Sequence, residues 1–406
     1  MVPVTANPTD TTQSAAIAET MRRYWGYNQF RPLQVEAIEA ALAQQDSLVV
    51  LPTGGGKSLC YAVPPVVAGR TDVVVSPLIA LMKDQVDGLQ ACGYPAAAIH
   101  SGLTEAERQV IDQGIRNREY RLLFVAPERL LNPWFMARAK WMNVQAFAID
   151  EAHCISHWGH DFRPEYRRLS ELKTAFPQAA IHAYTATATD RVRQDIIEQL
   201  GLQQPRVLVG RFDRPNLVFR IIPKRDVEEQ ALTVVRRHPR EAVIIYCISR
   251  ADTERLAESL RARGVKAGPY HAGLDAATRS KTQEAFAAER LDVVVATVAF
   301  GMGIDRSNVR CVVHAALPKS VEQYQQETGR AGRDGLEAEC VLLYSPDDAR
   351  RWESLLTRPA PDTTISPENL EAQLGLLADM QEFASSHECR HAGLSGYFSQ
   401  PYEGDN

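Results

Sequence analysis

Residues 47–58 read SLVVLPTGGGKS, an apolar run followed by three glycines, a lysine and a serine. The run predicts a buried strand, and the residues after Ser58 predict a helix. Glycines let the backbone curl so that its N–H groups and the helix N-terminus point at one place, a geometry suited to phosphate oxygens. Lys57 would add positive charge, and the Ser58 hydroxyl would bind Mg²⁺. We therefore predict a phosphate-binding loop formed by Thr53, Gly54, Gly55, Gly56, Lys57 and Ser58.

Leu51 occupies the position where the strict loop pattern has its first glycine, so this loop is a variant. A glycine-rich turn with no ligand is the alternative. The strand predicted before the loop and the helix predicted after it favour the phosphate-binding interpretation.

Similar apolar segments recur along the chain and alternate with segments of helical periodicity, which is typical of parallel α/β sheets. Strands are predicted at Ser47–Leu51, Asp72–Val75, Leu122–Val125, Ala146–Ile149, Ala242–Tyr246, Asp292–Val295 and Cys311–His314. Helices are predicted at Leu33–Leu42, Leu81–Leu89, Arg191–Leu200 and Ala251–Leu260. The alternation forms two successive series, so we predict an α/β protein with two parallel sheets.

The segment 210–216, GRFDRPN, carries the Gly, Pro and Asn residues that mark a boundary. We place a first domain at residues 1–209 and a second at 210–345. Residues 346–406 form a short tail, in which a Thr- and Pro-rich loop at Thr357–Pro367 precedes a helix predicted at Glu368–Phe383.

The composition is that of a globular protein, since 45% of the 406 residues are hydrophobic and 23% are charged. With 45 Lys and Arg against 50 Asp and Glu, the net charge of −5 excludes a uniformly basic nucleic-acid binder. Any nucleic-acid site must then be local. No secretory pattern or apolar run of roughly 18 residues is present. The seven scattered cysteines indicate a reducing compartment. We expect a soluble intracellular enzyme, cytoplasmic or nucleoid-associated, without membrane contact.

The predicted strand Ala146–Ile149 ends in the sequence DEAH at residues 150–153. Acidic residues at the carboxyl end of a strand lie where open α/β sheets bind ligands. Asp150 is suited to hold Mg²⁺, and Glu151 to polarise the water that attacks a γ-phosphate. The alternative for this string alone is a solvated turn.

A third motif, QETGRAGRDG, spans residues 326–335. Arg330 and Arg333, flanked by glycines, are suited to reach a phosphoryl group as arginine fingers, and Gln326 begins the motif. If both arginines come from the second domain, they complete the site only when the two domains close. Taken alone, the motif is equally consistent with a solvated loop.

Together these three motifs resemble those of superfamily 2 helicases, and further strings resemble the RecQ family of DNA helicases. This resemblance covers residues from about 18 to 406 and implies two tandem RecA-like lobes followed by a short helical tail. GYNQFRPLQ at 26–34 is similar to the family's nucleotide-base motif. The resemblance implies that these residues contact the nucleotide: Tyr27, Arg31, Gln34, Gly303 and Asp305.

Residues 150–166 resemble the aromatic-rich loop of RecQ proteins. Exposed Trp158 and Phe162 are suited to stack on bases, and Arg163 to add charge. Packing of both aromatics in the core is the alternative. By resemblance, the residues that face DNA are Lys83, Arg129, Trp158, His160, Phe162, Arg163, Ser249, Arg250 and Thr297.

The resemblance implies an ATP-dependent 3′–5′ DNA helicase that acts in DNA recombination and repair. Its cofactors would be ATP and Mg²⁺, and its partners single-stranded and partly duplex DNA; we expect a monomer. Local cationic contacts predict modest DNA affinity that falls strongly with salt. Three alternatives stay open: an RNA helicase, a DNA-binding module that uses ATP as a conformational switch, and a nucleotide kinase.

Residues 388–398, ECRHAGLSGYF, resemble the start of the RecQ zinc-binding subdomain, with Cys389 as its first ligand. We interpret the chain as a truncated or naturally short form without the completed zinc module and the winged-helix domain. A tetrahedral zinc site needs four ligands, and Cys389 is the sole cysteine candidate here. Substituting His387 and His391 would require three ligands from one short segment to converge.

We therefore predict that the chain binds less than stoichiometric zinc. Elemental analysis of the purified protein, after dialysis against metal-free buffer, measures this directly. One zinc per chain would contradict the prediction.

Overall fold

The computed structural model describes residues 8–301, 306–358 and 366–404. The chain divides into two compact units, Met1–Gly210 and Arg211–Asn406, called here the first and second unit. No described helix combines the length and the apolar composition that crossing a lipid bilayer requires.

The first unit contains a parallel sheet of short buried strands. In the described residues the strands lie in the order β3-β4-β2-β5-β6-β1-β7. Their bounds are β1 Ser47–Val50, β2 Asp72–Val75, β3 Ala96–Ile99, β4 Leu122–Val125, β5 Ala146–Ile149, β6 Ala180–Thr185 and β7 Arg206–Val209. Parallel pairing brings all their carboxyl ends to one edge of the sheet.

Helices connect these strands and cover both faces of the sheet, as crossover connections require. Their bounds are α1 Pro8–Trp25, α2 Gln34–Leu42, α3 Lys57–Val67, α4 Ile79–Ala91, α5 Glu105–Arg116, α6 Pro127–Leu130, α7 Pro133–Trp141, α8 Pro164–Arg167, α9 Glu171–Ala175 and α10 Asp190–Leu200. A capping box starts α5, in which the Thr104 hydroxyl accepts from the Glu107 backbone N–H and the Glu107 carboxylate accepts from the Thr104 N–H.

The second unit contains a parallel sheet in the order β10-β11-β9-β12-β13-β8, counted over its described residues. Its strands are β8 Leu217–Pro223, β9 Ala242–Tyr246, β10 Ala267–Tyr270, β11 Val293–Ala296, β12 Val309–His314 and β13 Ala338–Tyr344. Its helices are α11 Val227–Arg237, α12 Arg250–Ala262, α13 Ala276–Ala287, α14 Val321–Thr328, α15 Pro346–Thr357, α16 Pro367–Ser385 and α17 Arg390–Tyr397. The two parallel sheets confirm the predicted fold class.

The C-terminal helices α15 to α17 pack on the second unit. Phe383 and Leu394 join a buried cluster with Tyr324 of α14. The rings of Phe212 and Phe398 stack with centroids 4.1 Å apart, and both are buried. These apolar contacts hold the tail against the start of the second unit.

Most predicted elements lie within one or two residues of the observed ones. The helix predicted at Glu368–Phe383 is α16, and the helix predicted at Leu33–Leu42 starts one residue later because Leu33 adopts a left-handed backbone conformation. The loop predicted at Thr357–Pro367 lies largely outside the described residues. The strands β3, β6, β7, β8, β10 and β13 were not predicted.

A polar pair lies inside the first sheet, where Ser47 of β1 is directly opposite His182 of β6. The Ser47 hydroxyl and His182 Nδ1 are 2.9 Å apart, and both side chains are buried. Burial lowers the pKa of His182 to about 4. The nearby Asp46 carboxylate opposes this lowering, whereas the positive charges of Arg70 and Lys173 add to it. The ring is therefore neutral in the folded protein at neutral pH.

We predict that acidification destabilises the fold through His182. Because its folded pKa lies below the unfolded value of about 6.5, the unfolded state binds more protons as pH falls from about 6.5 to 4, and stability is lost over that range. The loss attributable to this residue between pH 7 and 5 is about 2 kcal/mol. Urea unfolding of the full chain at both pH values, with His182→Gln alongside, measures it.

The glutamine variant should show the shallower pH dependence, since it cannot take up the proton. Exposed His387→Gln is the matched control and should follow the unsubstituted chain. Equal slopes for His182→Gln and the unsubstituted chain would contradict the assignment.

Candidate active site and nucleic-acid interface

The glycine loop between β1 and α3 is shaped by its backbone conformation. Gly54 and Gly56 have φ values of 82° and 80°, a region that disfavours residues with a Cβ atom. The Gly55 N–H donates to the Pro52 carbonyl oxygen at 2.8 Å, which closes the turn. No side chain caps the N-terminus of α3 in the described residues, so its N–H groups remain available to an anion. Lys57 Nζ lies 3.3 Å from the Leu51 carbonyl oxygen.

Gln34 connects the segment at 26–34 to this loop. Its Nε2 donates to the Gly56 carbonyl oxygen at 3.1 Å, and its Oε1 accepts from the Arg31 backbone N–H at 2.8 Å. Gln34 is buried, whereas Tyr27 is 53% exposed and the Arg31 side chain is also exposed. The structure therefore places Gln34 against the loop backbone and leaves the Tyr27 ring and the Arg31 guanidinium accessible.

Asp150 and Glu151 follow the carboxyl end of β5. Asp150 is buried, and its Oδ2 accepts from Gln85 Nε2 at 3.3 Å. Burial, reinforced by the neighbouring Glu151, raises the pKa of Asp150 to about 6, and the positive charge of Lys57 opposes the rise. Tyr166 donates its hydroxyl to the Asp150 carbonyl oxygen at 3.0 Å, which fixes the backbone here.

The oxygen atoms of Asp150 and Ser58 fit the coordination that Mg²⁺ prefers. Oxygen ligands suit the ion, and Asp150 and the exposed Ser58 hydroxyl supply them. A cation would also relieve the repulsion between the two carboxylates that raises the Asp150 pKa. The residues that would hold the ion are therefore Ser58 and Asp150.

His153 links the carboxylates to β6. Its Nδ1 lies 2.9 Å from Thr185 Oγ1 and 3.3 Å from Glu151 Oε2. Burial lowers the pKa of His153 to about 4, so the ring is neutral near pH 7. Thr185 Oγ1 in turn donates to the Thr187 carbonyl oxygen at 3.1 Å. His153 therefore contacts both Glu151 and Thr185, the last residue of β6.

Arg163 and His160 of the aromatic-rich loop both contact neighbouring segments. Arg163 Nη1 donates to the Pro77 carbonyl oxygen at 2.9 Å, and the Arg163 guanidinium also pairs with Asp161. The His160 ring stacks on His153, with centroids 4.4 Å apart. His160 is buried, so its ring does not face solvent as the DNA assignment requires.

The aromatic side chains of the loop differ in exposure. Trp158 is 36% exposed, and the Arg191 guanidinium lies over its ring, 3.0 Å from the centroid. Phe162 is half-buried, with its ring centroid 3.9 Å from that of His157. Trp158 is therefore partly accessible, with Arg191 on one face of the indole, and its stacking on bases stays a prediction. Sequence analysis missed Arg191, Gln85 and Tyr166, because their contacts come from separate elements.

The remaining first-unit candidates for DNA contact are on two helices. Lys83 is exposed on α4, and Arg129 is half-buried on α6. Arg129 forms no side-chain ion pair or hydrogen bond among the described residues.

In the second unit, Ser249 and Thr297 both follow strands. Ser249 caps α12, accepting from the Asp252 N–H at 3.1 Å, and Arg250 is exposed at the first position of that helix. Thr297 accepts from the Ala299 N–H at 3.4 Å. These groups therefore lie near the carboxyl ends of β9 and β11.

The arginine motif follows α14. Arg330 is buried beside Tyr246 at the end of β9, whose hydroxyl donates to the Phe300 carbonyl oxygen at 2.8 Å. Arg333 and Gln326 are half-buried. Gly303 and Asp305 lie outside the described residues. All these assignments remain predictions.

Cys389 is exposed at the N-cap of α17. The nearby His391 pairs with Asp213 at 2.6 Å. Two groups of possible metal ligands occur in the described part of the chain, and neither contains Cys389: they are His153, Cys154 and Asp161, and His238, Cys311 and Glu339. The zinc prediction is untested.

Two family models match the chain in order. Residues 31–196 match the DEAD/DEAH box helicase model, and residues 225–335 match the helicase conserved C-terminal domain. In fold alone, the chain is similar to the DEAD-box helicase Mss116 bound to single-stranded RNA (TM-score 0.70, 16% identity, covering 98% of this chain and 92% of that one). It is also similar to the DUF1998 helicase MrfA bound to DNA (TM-score 0.68, 19% identity, covering 94% and 57%).

Among curated proteins, the chain is 47% identical to the ATP-dependent DNA helicase RecQ of Pasteurella multocida, over 94% of this chain and 60% of that protein. It is 40% identical to the RecQ helicase of Bacillus subtilis, over 94% and 64%. The chain thus spans about three fifths of the length of these relatives. Because this identity extends over nearly all of the chain and through both helicase models, the chain belongs to the RecQ helicase family.

Proposed function

We propose that the chain is an ATP-dependent DNA helicase that moves 3′ to 5′ on single-stranded DNA and unwinds duplexes in recombination and repair. The observation that carries the proposal is the connection between the catalytic carboxylates and the aromatic loop. Glu151 reaches His153 at 3.3 Å, and His153 stacks on His160 of the loop that displays Trp158. A base that stacks on Trp158 therefore acts on a loop that is packed against the hydrolytic residues.

The first unit supplies the groups that hydrolysis requires. The loop N–H groups and Lys57 bind phosphate oxygens, and Glu151 orients and polarises the attacking water. Ser58 and Asp150 would hold Mg²⁺, which would neutralise phosphate charge there. Tyr27 is proposed to stack on the adenine base and Arg31 to contact the nucleotide; both side chains are exposed.

The proposal gives Arg330 and Arg333 the role of stabilising transferred phosphoryl charge. The packing of Arg330 against Tyr246 restricts its guanidinium, so less conformational entropy is lost when it contacts a phosphoryl group. Ser249, Arg250, Thr297, Lys83 and Arg129 are proposed to contact the DNA backbone.

Mg²⁺-dependent ATP hydrolysis should be measured with no nucleic acid, with single-stranded DNA and with single-stranded RNA. The proposal requires stimulation by DNA and unwinding of duplexes that carry a 3′ overhang. Stronger stimulation by RNA would favour an RNA helicase. Hydrolysis that is indifferent to both would favour a module that uses ATP as a switch.

Glu151→Gln should reduce kcat for DNA-stimulated hydrolysis by at least about 100-fold, because the amide cannot polarise the water. ATP binding should be retained, since Lys57 and the loop N–H groups are unchanged; equilibrium titration with a fluorescent ATP analogue measures it. Glu165→Gln, which removes an exposed carboxylate of α8, is the matched control and should keep full activity. Retained hydrolysis in Glu151→Gln would remove this residue from the mechanism.

Trp158→Ala should abolish most of the stimulation by DNA while leaving DNA-independent hydrolysis within about twofold. Loss of base stacking should also weaken single-stranded DNA binding roughly tenfold. Fluorescence anisotropy and steady-state hydrolysis measure the two effects. Trp141→Ala, which removes a tryptophan that is 50% exposed on α7, is the control. An equal loss of stimulation in both variants would argue against a specific role for the loop.

A further inference from the structure

A cavity of about 250 Å³ lies at the amino-terminal edge of the first sheet. It is lined by residues that directly precede β2, β4 and β5, among them Thr71, Arg121 and Gln145, and by residues at the C-terminal ends of α5 and α7. The phosphate-binding loop follows the carboxyl end of β1. The cavity is therefore separate from the nucleotide site within this unit.

Three arginines line the cavity, and two of them lack partners. Arg70 is held by Asp72, with Nε to Oδ1 at 2.8 Å and Nη2 to Oδ2 at 3.2 Å. Among the described residues, the side chains of Arg118 and Arg121 form no ion pair, hydrogen bond or ring contact. No acidic residue is among the described lining of the cavity. The cavity therefore carries two uncompensated positive charges.

This lack of partners is unusual within the unit. Among its described residues, four arginine side chains have no ion pair, hydrogen bond or ring contact: Arg31, Arg118, Arg121 and Arg129. Arg31 is proposed to contact the nucleotide, and Arg129 the DNA backbone. The other two line one cavity that neither role involves, which favours a separate anionic ligand there.

The local fold explains how two free guanidinium groups are tolerated. Arg118 lies just beyond the last residue of α5, and the carboxyl end of a helix carries partial negative charge. The Arg121 backbone is fixed on both sides, since its N–H donates to the Pro95 carbonyl oxygen and its carbonyl oxygen accepts from the Asp72 N–H. Both side chains are thus anchored at the base while their charged ends remain available.

We propose that this cavity binds a phosphate monoester carried on a pentose. A phosphate monoester carries close to two negative charges on one compact group, which matches two arginine side chains lining one cavity. A carboxylate side chain carries only one charge, so an acidic peptide would need two residues in a space of about 250 Å³.

The rest of the lining suits a small sugar. Ile115, Leu123 and Met142 form an apolar wall, and Asn143 and Gln145 offer amide groups to hydroxyls. Gln145 Oε1 already accepts from Gln44, which leaves its amino group to donate. The volume lies below the range of about 300–1,000 Å³ for drug-sized ligands. The ligand is a free sugar phosphate or the 5′-phosphorylated end of a DNA strand.

Calorimetric titration of the full chain with ribose 5-phosphate tests the proposal. Binding should be measurable, should weaken at least tenfold in Arg118→Gln and in Arg121→Gln, and should be absent with ribose. Lys57→Ala should bind normally, because the phosphate loop is not involved. Arg168→Gln, which removes an exposed arginine paired with Glu171, is the matched control and should also bind normally. Thermal unfolding of each variant checks that the fold is retained.

The proposal is overturned if ribose 5-phosphate does not bind, if both arginine variants bind it unchanged, or if Lys57→Ala abolishes binding. Tighter binding of a hexaglutamate peptide through the same arginines would instead assign the site to an acidic protein segment and overturn the phosphate proposal. Oligonucleotides with 5′-phosphate and 5′-hydroxyl ends identify the source. An affinity gain from the phosphate that requires Arg118 assigns the DNA end, and no gain assigns the free sugar phosphate.

Discussion

The candidate active site depends on the parallel register of neighbouring strands in the first unit. Val50 pairs with Thr185, and Val75 with Ile149. The Leu51 N–H then donates to the Thr185 carbonyl oxygen at 3.1 Å, and the Asp150 N–H to the Val75 carbonyl oxygen at 2.9 Å. Each motif begins where its strand ends, so the register brings segments far apart in sequence to one edge. A slip of one residue would turn every side chain of the slipped strand to the opposite face of the sheet.

The pair of carboxylates that this register brings to the sheet edge is electrostatically unfavourable without a bound cation. Asp150 is buried next to Glu151, and its raised pKa reflects both the burial and the repulsion. Glu151 also has a φ of 48°, in the left-handed region that a glutamate rarely adopts. Such strain persists only where surrounding contacts hold it, as Tyr166 and His153 do here. The protein therefore keeps two carboxylates in a position that a bound cation would stabilise.

The sequence was informative wherever a local pattern determines structure. The β-branched strands next to the nucleotide loop and the consecutive glycines of that loop were predicted because short-range sterics and burial control them. Strands such as β3, AAAI, and β7, which is partly exposed, lack that signal. Side-chain partners were also missed, because the contacts of Gln34 with the loop and of Arg191 with Trp158 join residues at least 20 positions apart. Such contacts follow from the tertiary fold.

The two links at the base of the aromatic loop have different mechanical consequences. Arg163 bonds to a backbone oxygen beside β2, which fixes the end of the loop to the sheet. His160 stacks its ring on that of His153, with centroids 4.4 Å apart. A base that displaces Arg191 from Trp158 would move the part of the loop around Trp158 while the Arg163 end stays fixed. His160 would then pass the motion to His153, which contacts both Glu151 and Thr185.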